Sequence, residues 1–95
     1  YVSRYGGNRA TRDAAYHQGT VWNWLIGPFV EAHLRVYGDK AKARSLLLPV
    51  IENLREGVVG NINEVFDADA PHNPRGAFAQ AWSVAEILRA WALTR

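Results

Sequence analysis

One short segment of the chain carries most of its candidate chemistry. Three acids, a histidine and an arginine fall within thirteen residues, and they are Glu64, Asp67, Asp69, His72 and Arg75. Proline and glycine residues interrupt the same segment, which favours a loop over a helix or a strand. Carboxylates and a guanidinium on one loop can hold a polar ligand through several hydrogen bonds at once. We therefore expect a binding or catalytic site here.

A second loop of similar composition comes before the first helical pattern. It contains His17, Gln18 and Trp22, and the third helical pattern opens in a similar way with Gln80 and Trp82. Amide side chains both donate and accept hydrogen bonds, and indole rings offer a flat apolar face with one N–H donor. Together with the carboxylates of the first segment, these groups favour a sugar as the ligand.

Other interpretations of the acidic segment remain open from the residues alone. Asp67, Asp69 and His72 are side-chain types that a metal ion accepts, but the calcium-binding loop pattern is absent. The two aspartates can instead accept hydrogen bonds from the loop backbone or orient Arg75. Glu64 can itself be an ordinary loop carboxylate or a helix cap.

The composition sets limits on the function. The 95 residues are enough for one domain, and the formal charge of +2 is spread along the chain without a basic run. We therefore expect no nucleic-acid partner. No apolar run approaches the ~20 residues that span a bilayer, so we expect no membrane partner and a soluble, cytoplasmic protein. The absence of cysteine fits a reducing compartment, and the absence of methionine suggests a piece of a longer chain.

Apolar residues at spacings of three and four predict three helices. The first runs from Trp22 to Tyr37, with Thr20 as its cap and Gly38 as its end. Pro28 is expected to kink this helix or to delay its start, because proline has no N–H to donate. The residues before about 15 show no apolar periodicity and are expected to form an irregular lead-in.

The second predicted helix begins after Asp39 as its cap, is bent at Pro49, and ends at Gly57 and Gly60. The third covers about 78–93 and is apolar around most of its circumference. A helix of that kind is normally covered on several sides, and two neighbouring helices can hardly cover it. We therefore expect either self-association as a homo-oligomer or a place within a larger helical assembly.

The order of helices and loops predicts where the loops lie. Short connections make consecutive helices antiparallel, so the first and third helices should run parallel, with their N-termini at the same end. The loops at 5–20 and 60–78 precede those N-termini and should meet on one rim. Helix N-termini also favour oxygen-rich ligands. The sequence thus predicts one composite site built from both loops.

Several blocks of the sequence resemble one enzyme family. The blocks are YHQGTVWNWLIGPF at 16–29, EVFD at 64–67 and PRGAFAQAWSVAE at 74–86, preceded by RYGG at 4–7 and RD at 12–13. In this order they closely resemble the C-terminal end of glycogen debranching enzymes, the amylo-alpha-1,6-glucosidase catalytic domain. Asn23, Ala68 and Ala77 stand where that family usually has proline, glycine and cysteine. Ala68 raises the question of whether its position needs a positive φ.

The resemblance implies a fold and an activity. The fold is an all-α (alpha/alpha)6 toroid of six inner and six outer helices, in which residues 1–95 would form a C-terminal fragment of about three helices. The family hydrolyses α-1,6-linked glucose at branch points of glycogen and related α-glucans, with inversion and without a metal or organic cofactor. The implied partners are a branch oligosaccharide and the remainder of the parent catalytic domain.

The same resemblance assigns catalytic roles. Inversion uses one carboxylic acid and one carboxylate separated by roughly 6.5–9.5 Å. By resemblance, Glu64 is the general base, with Asp67 and Asp69 as its rivals. The family's general acid is an aspartate well upstream of this segment. A glutamate side chain is ionised at neutral pH, as a base must be. We expect the isolated chain to supply half of a catalytic pair and to be inactive.

The other candidate residues are expected to bind the substrate. They are His17, Gln18, Trp22, Arg75, Gln80 and Trp82. A purely structural role stays open for His17 and for the tryptophans. Trp91 is assigned to the core because it lies far from the rim, and His33 is expected to be a core histidine whose hydrogen bonds are satisfied.

Two other functions remain open at this stage. The chain can be a non-catalytic helical module that binds α-glucan, or one that only assembles through its apolar helix. It can also be part of a related toroid glycosidase with another substrate, because the fold serves several glycosidases. A second carboxylate facing Glu64 across a sugar-sized gap would distinguish an enzyme from a binding module.

Overall fold

A computed structural model describes residues 1–95 and shows a mostly helical chain with one small sheet. The predominance of helix confirms the predicted fold class, whereas the toroid stays a prediction. The helices are α1 (Arg9–Ala15), α2 (Ile26–Tyr37), α3 (Lys40–Ser45), α4 (Leu48–Glu52) and α5 (Ala81–Leu93), the strands are β1 (Val21–Trp22), β2 (Val65–Phe66) and β3 (Pro74–Arg75), and two 3₁₀ turns cover Asn23–Leu25 and Asn53–Arg55.

Helix α2 starts later than the apolar pattern suggested. Trp22 lies in β1 instead of a helix, and the Thr20 hydroxyl donates to the Ala15 carbonyl at 2.9 Å instead of capping α2. Pro28 is the third residue of α2, where a missing N–H breaks no intrahelical bond. The delayed start is therefore confirmed and the Thr20 cap is wrong. The predicted end is confirmed, because Gly38 adopts φ 67° and a left-handed conformation.

The second predicted helix is two short helices. The Asp39 carboxylate accepts the Lys42 N–H at 2.8 Å, so the predicted cap of α3 is confirmed. Helix α3 ends at Ser45. In a continuous helix the Ser45 carbonyl would accept the N–H of residue 49, but this residue is proline and has no N–H. Pro49 then lies in the first turn of α4, where it is tolerated. The expected bend at Pro49 is thus a break.

Residues 9–15 form helix α1, so the prediction of an irregular lead-in was wrong for them. The Asn8 side chain caps this helix by accepting the Thr11 N–H at 3.0 Å. Alanine supplies all the apolar residues of α1, and only Ala15 is buried. A helix with a solvated surface has no apolar stripe, and periodicity therefore could not reveal it.

The three strands form an antiparallel sheet in the order β1, β2, β3. Val21 pairs with Phe66, and Val65 pairs with both Trp22 and Arg75. The sequence did not predict this sheet, since strands of two residues are too short to show an alternating pattern. Val65 and Phe66 of the central strand are buried, and the sheet anchors the acidic segment to the rest of the fold.

Helices α2 and α5 pack side by side and run in the same direction. Glu86, in the second turn of α5, lies against Gly27 in the first turn of α2, and one turn later Arg89 Nη1 lies 2.7 Å from Glu31 Oε2. Residue numbers therefore increase together along the two helices. The predicted parallel arrangement, with both N-termini at one end, is confirmed.

A small core lies between α2, α3, α5 and the stretch of chain just before the acidic segment. Its buried members are Val30, Ala43, Leu47, Ile62, Ile87 and Ala90. Trp91 packs against this cluster, as expected of a core tryptophan. His33 is only half-buried, and its Nε2 has no hydrogen-bond partner, so the expected satisfaction of its hydrogen bonds is wrong.

Large apolar side chains remain at the surface of the helices. On α5, Trp82 is 47% exposed and Leu88 is 64% exposed, and on α2 Val36 is 71% exposed. The chain therefore does not cover α5 on all sides by itself. None of its helices has the length and apolar character required to cross a bilayer.

Candidate active site

The small sheet brings the two predicted loops together. Strand β1 belongs to the loop that precedes α2, whereas β2 and β3 belong to the acidic segment that precedes α5. Two further backbone bonds join the N-terminal residues to these loops, from Val2 N to Gln18 O at 2.6 Å and from Ala68 N to Ser3 O at 2.7 Å. The predicted meeting of the loops on one rim is thus confirmed.

Glu64 has both carboxylate oxygens engaged by donors. The Tyr16 hydroxyl donates to Oε1, and the Ala77 N–H donates to Oε2 at 2.9 Å. The Glu64 N–H in turn donates to the Ala77 carbonyl at 2.9 Å. The side chain is half-buried. Its carboxylate therefore has a fixed position at the point where the two loops meet.

Gly76 leaves the space that the Glu64 carboxylate occupies. Its φ is 68°, a conformation that L side chains rarely adopt. A Cβ added at this position would lie 2.5 Å from Glu64 Oε2 and 3.1 Å from its Cβ. The glycine is thus required both by the turn and by the close approach of Glu64.

Tyr16 is the centre of an aromatic cluster at the rim. Its ring lies 4.6 Å from Trp22 edge-on, 5.0 Å from His17 and 5.4 Å from Tyr5, measured between ring centroids. Trp22 also touches Trp82 edge-on at 6.0 Å. Burial and the hydrogen bond to Glu64 raise the pKa of Tyr16 to about 12. The phenol is therefore protonated, and a donor, at neutral pH.

Asp67 forms an ion pair with Arg75 inside the same loop. The guanidinium Nε lies 3.2 and 3.1 Å from the two Asp67 oxygens, and Nη2 lies 2.9 Å from Oδ2. The Tyr5 N–H adds a third donor at 2.9 Å. Burial acts to raise the pKa of Asp67, but the bonds from Arg75 and Tyr5 outweigh it, so the pKa lies below its ordinary value.

The remaining polar residues of the acidic segment have structural contacts. Asp69 Oδ1 accepts the Tyr1 hydroxyl at 3.0 Å, and His72 Nδ1 lies 3.1 Å from the Asp67 carbonyl. Asp67, Asp69 and His72 thus do not converge on a common point as metal ligands would. His72 is the one non-glycine residue with a positive φ, so Ala68 does not need the conformational freedom of glycine.

An open cleft lies in front of the Glu64 carboxylate. Its volume is about 430 Å³, within the ~300–1,000 Å³ range of small-molecule sites. It is lined by Tyr5, Arg12, Glu64, Arg75, Gly76 and Ala77. One carboxylate and two guanidinium groups therefore share its wall, and the Arg12 guanidinium is fixed at 2.8 Å from the Gly7 carbonyl.

The sequence-predicted site residues fall into two sets. Glu64 and Arg75 line the cleft, and Tyr16 links Glu64 to an aromatic cluster that includes His17, Trp22 and Trp82. His17 stacks on Trp22 with centroids 5.3 Å apart, and the Trp22 N–H donates to the Tyr16 carbonyl at 3.0 Å. The Trp22 N–H and the ring face under His17 are therefore already used, which leaves the opposite ring face for a ligand.

The two glutamines are placed differently from the expectation that both begin helices. Gln18 is exposed in the turn after α1, well before α2. Gln80 does begin α5 as its N-cap residue, but its side chain makes no capping hydrogen bond. The backbone N–H of Gln80 donates to the Ile62 carbonyl at 2.9 Å. No contact joins either amide side chain to Glu64, so their substrate-binding role stays a prediction.

One known protein family matches nearly the whole chain. The model of the family described as amylo-alpha-1,6-glucosidase matches residues 1–89. The chain belongs to the amylo-alpha-1,6-glucosidase family. This confirms the resemblance to glycogen debranching enzymes stated from the motifs. No solved structure matches the chain significantly.

Within this amylo-alpha-1,6-glucosidase segment, the sequence analysis missed three contributors to the Glu64 surroundings. They are the Tyr16 hydroxyl, the Ala77 N–H and the side chain of Arg12. Tyr16 is the first residue of the block at 16–29, which was a usable signal. Its contact with Glu64 spans 48 positions, however, and no local pattern encodes such a pairing.

Proposed function

We propose that this chain is part of a glycoside hydrolase catalytic domain that removes α-1,6-linked glucose at branch points of glycogen and related α-glucans. Family membership establishes the glycosidase context. The observation that carries the assignment of roles is the Glu64 carboxylate, which two donors fix at the wall of an open cleft. Glu64 acts as the general base of an inverting reaction.

The chemistry of the base follows from inversion. The Glu64 carboxylate takes a proton from a water molecule while the water oxygen forms a bond to the anomeric carbon. The bond from that carbon to the glycosidic oxygen breaks, and a general acid protonates the leaving oxygen. The carboxylate must be ionised and must point toward the water. Hydrogen bonds from Tyr16 and Ala77 support the second requirement, because they fix the direction of the carboxylate.

The rival bases are less suitable in this geometry. Asp67 is 5% exposed and has its oxygens occupied by Arg75 and Tyr5. Asp69 accepts the Tyr1 hydroxyl at the surface and does not line the Glu64 cleft. Glu64 is the carboxylate of the acidic segment that faces the cleft, and we assign the base to it.

The rim residues would hold the terminal glucose. Arg75 keeps part of its guanidinium surface in the cleft while it pairs with Asp67, and it can donate to sugar hydroxyls. Trp22 and Trp82 can each offer a ring face, and His17, Gln18 and Gln80 offer donors and acceptors around them. The proposed reaction takes place in the cytoplasm and uses side chains and water alone.

The general acid would come from an upstream part of the catalytic domain. The Glu64 cleft contains one carboxylate, and inversion requires two. The exposed apolar side chains of α2 and α5 provide a surface against which the rest of a toroidal domain can pack. The 95 residues alone are therefore expected to be inactive.

The decisive variant is Glu64→Gln in a chain extended upstream to include the general acid. The amide keeps the shape of the side chain but cannot take a proton, so glucose release from a branched limit dextrin should fall at least ~1,000-fold. Glu52→Gln makes the same chemical change at an exposed residue and should leave the rate unchanged. Wild-type-like turnover by Glu64→Gln would move the base to another carboxylate.

The same assay distinguishes the other functions. Glucose release by the 95-residue chain itself would place the general acid within these residues, against our proposal. If the extended chain binds α-glucan but releases no glucose, the chain is a binding module. Release from another glycoside in place of the limit dextrin would indicate a related glycosidase.

A further inference from the structure

We propose that Tyr16 is a positioning residue for the Glu64 carboxylate, an inference that rests on the proposed base role of Glu64. Tyr16 donates its hydroxyl to Oε1, and the Ala77 N–H holds Oε2 from the other side. Two donors on two different oxygens define the plane of the carboxylate. Tyr16 therefore decides in which direction the free lone pairs of Glu64 point.

The surroundings of Tyr16 keep its hydroxyl in place. The ring is enclosed by Tyr5, His17 and Trp22, all with centroids within 5.4 Å. The Trp22 indole N–H also holds the Tyr16 carbonyl at 3.0 Å, so the backbone is fixed as well. A donor with so little freedom loses little entropy when it binds a carboxylate.

Tyr16 differs from the charged residues that line the cleft because its hydroxyl contacts the Glu64 carboxylate directly. Arg12 and Arg75 line the same cleft, and Arg75 is already paired with Asp67. Tyr5 lines the cleft beside them. The donors in direct contact with the Glu64 oxygens are the Tyr16 hydroxyl and the Ala77 N–H. Removal of the phenol hydroxyl would therefore leave Glu64 Oε1 without its donor.

Burial and the bond to Glu64 raise the pKa of Tyr16 to about 12, which supports a donor role across the neutral range. A phenolate could not donate and would repel the carboxylate. The direction of the hydrogen bond is therefore the same at every pH at which the enzyme would work.

The test is Tyr16→Phe in the upstream-extended chain, with kcat, KM and their pH dependence measured on a branched limit dextrin. We expect kcat to fall about 10- to 100-fold, the range of a lost hydrogen bond to a charged group. KM should change less than about threefold, because the substrate keeps its contacts. A fall in kcat at nearly constant KM is a result that a merely structural role would not produce.

Tyr37→Phe is the matched control. Tyr37 is 70% exposed at the end of α2, and its variant should keep the wild-type kcat and pH profile. A second variant places 3,5-difluorotyrosine at position 16, which preserves the shape of the ring but makes the phenol more acidic. Activity should then be lost at a lower alkaline pH than in the wild type, since the ionised phenol no longer donates.

The outcomes separate the two proposals. If Glu64→Gln is inactive while Tyr16→Phe keeps the wild-type kcat, the positioning role is wrong and the base role stands. If Tyr16→Phe does not fold, an unchanged alkaline limb in the difluorotyrosine variant overturns the positioning role. If Glu64→Gln is active, both proposals fail.

Discussion

At the scale of single residues, the acidic segment separates two kinds of carboxylate. Glu64 faces an open cleft and is held by one side-chain and one backbone donor. Asp67 is buried, and its oxygens meet the Arg75 guanidinium and the Tyr5 N–H. A buried carboxylate whose oxygens accept hydrogen bonds from the protein stabilises a loop. A carboxylate that lines a cleft remains available to a water molecule.

This difference predicts the effect of Asp67→Asn on stability. The substitution removes a buried charge that Arg75 faces, so the free energy of unfolding at pH 7 should fall by about 1.5–3 kcal/mol. Urea unfolding of both chains measures the change. Asp13→Asn, at an exposed residue with a loose contact to Arg9, is the control and should change it little.

The pH dependence of that effect has a defined sign. The pKa of Asp67 is lower in the folded chain than its ordinary value of 3.8, so its charged contacts stabilise the fold above that pH. The contribution is lost as the pH falls through the folded pKa. The stability difference between wild type and Asp67→Asn should therefore shrink at acid pH. An equal difference at pH 7 and at acid pH would contradict the assignment.

At the scale of elements, the parallel contact between α2 and α5 positions the loops that precede both helices. Gly27 allows the close approach, because an added Cβ would lie 2.9 Å from Cδ and 3.0 Å from Cβ of Glu86. Glu86 and Glu31 both bind Arg89, at 2.8 and 2.7 Å. One glycine and one arginine thus hold the two helices at a short distance.

The contact predicts a coupled effect of Gly27→Ala and Glu86→Ala. Alanine has the higher helix propensity, but the collision with Glu86 should outweigh it and lower the stability by about 1–3 kcal/mol. In the Glu86→Ala background most of that cost should be absent, since the carboxylate is gone. A double-mutant cycle in urea measures the coupling. Additive effects would show that Gly27 matters for another reason.

At the scale of the whole molecule, the chain leaves much apolar surface exposed. Seventeen of its 95 residues are buried, and the core cluster has six members. On α5 the exposed positions Trp82, Ala85, Leu88 and Ala92 recur at spacings of three and four and form one apolar face. Such a face is stable in water only when something covers it.

We therefore expect the 95-residue chain to self-associate in solution. Leu88→Glu should weaken this association without loss of secondary structure, because Leu88 is 64% exposed in the single chain. Ala14→Glu adds the same charge on the exposed side of α1 and serves as the control. Light scattering over a range of concentrations measures the mass. A wild-type chain that stays monomeric would show that the exposed face does not drive association.

The amino-acid sequence by itself determined the family, the predominance of helix, the parallel relation of α2 and α5 and the meeting of the two loops. Its local signals were also sufficient for the Asp39 cap, the end of α2 at Gly38 and the delayed start of α2 near Pro28. These features depend on residues close together in the chain, or on the order of elements, and both can be read from a linear pattern.

Only the tertiary structure decided which polar groups touch each other. The bond between Tyr16 and Glu64, the ion pair that removes Asp67 from the rival bases, and the strands of two residues each required partners brought together by the fold. The apolar periodicity also did not reveal helix α1, since the apolar residues of this helix are alanines and only Ala15 is buried. Hydrogen bonds are short and directional, so a site becomes defined only when packing fixes its atoms in space.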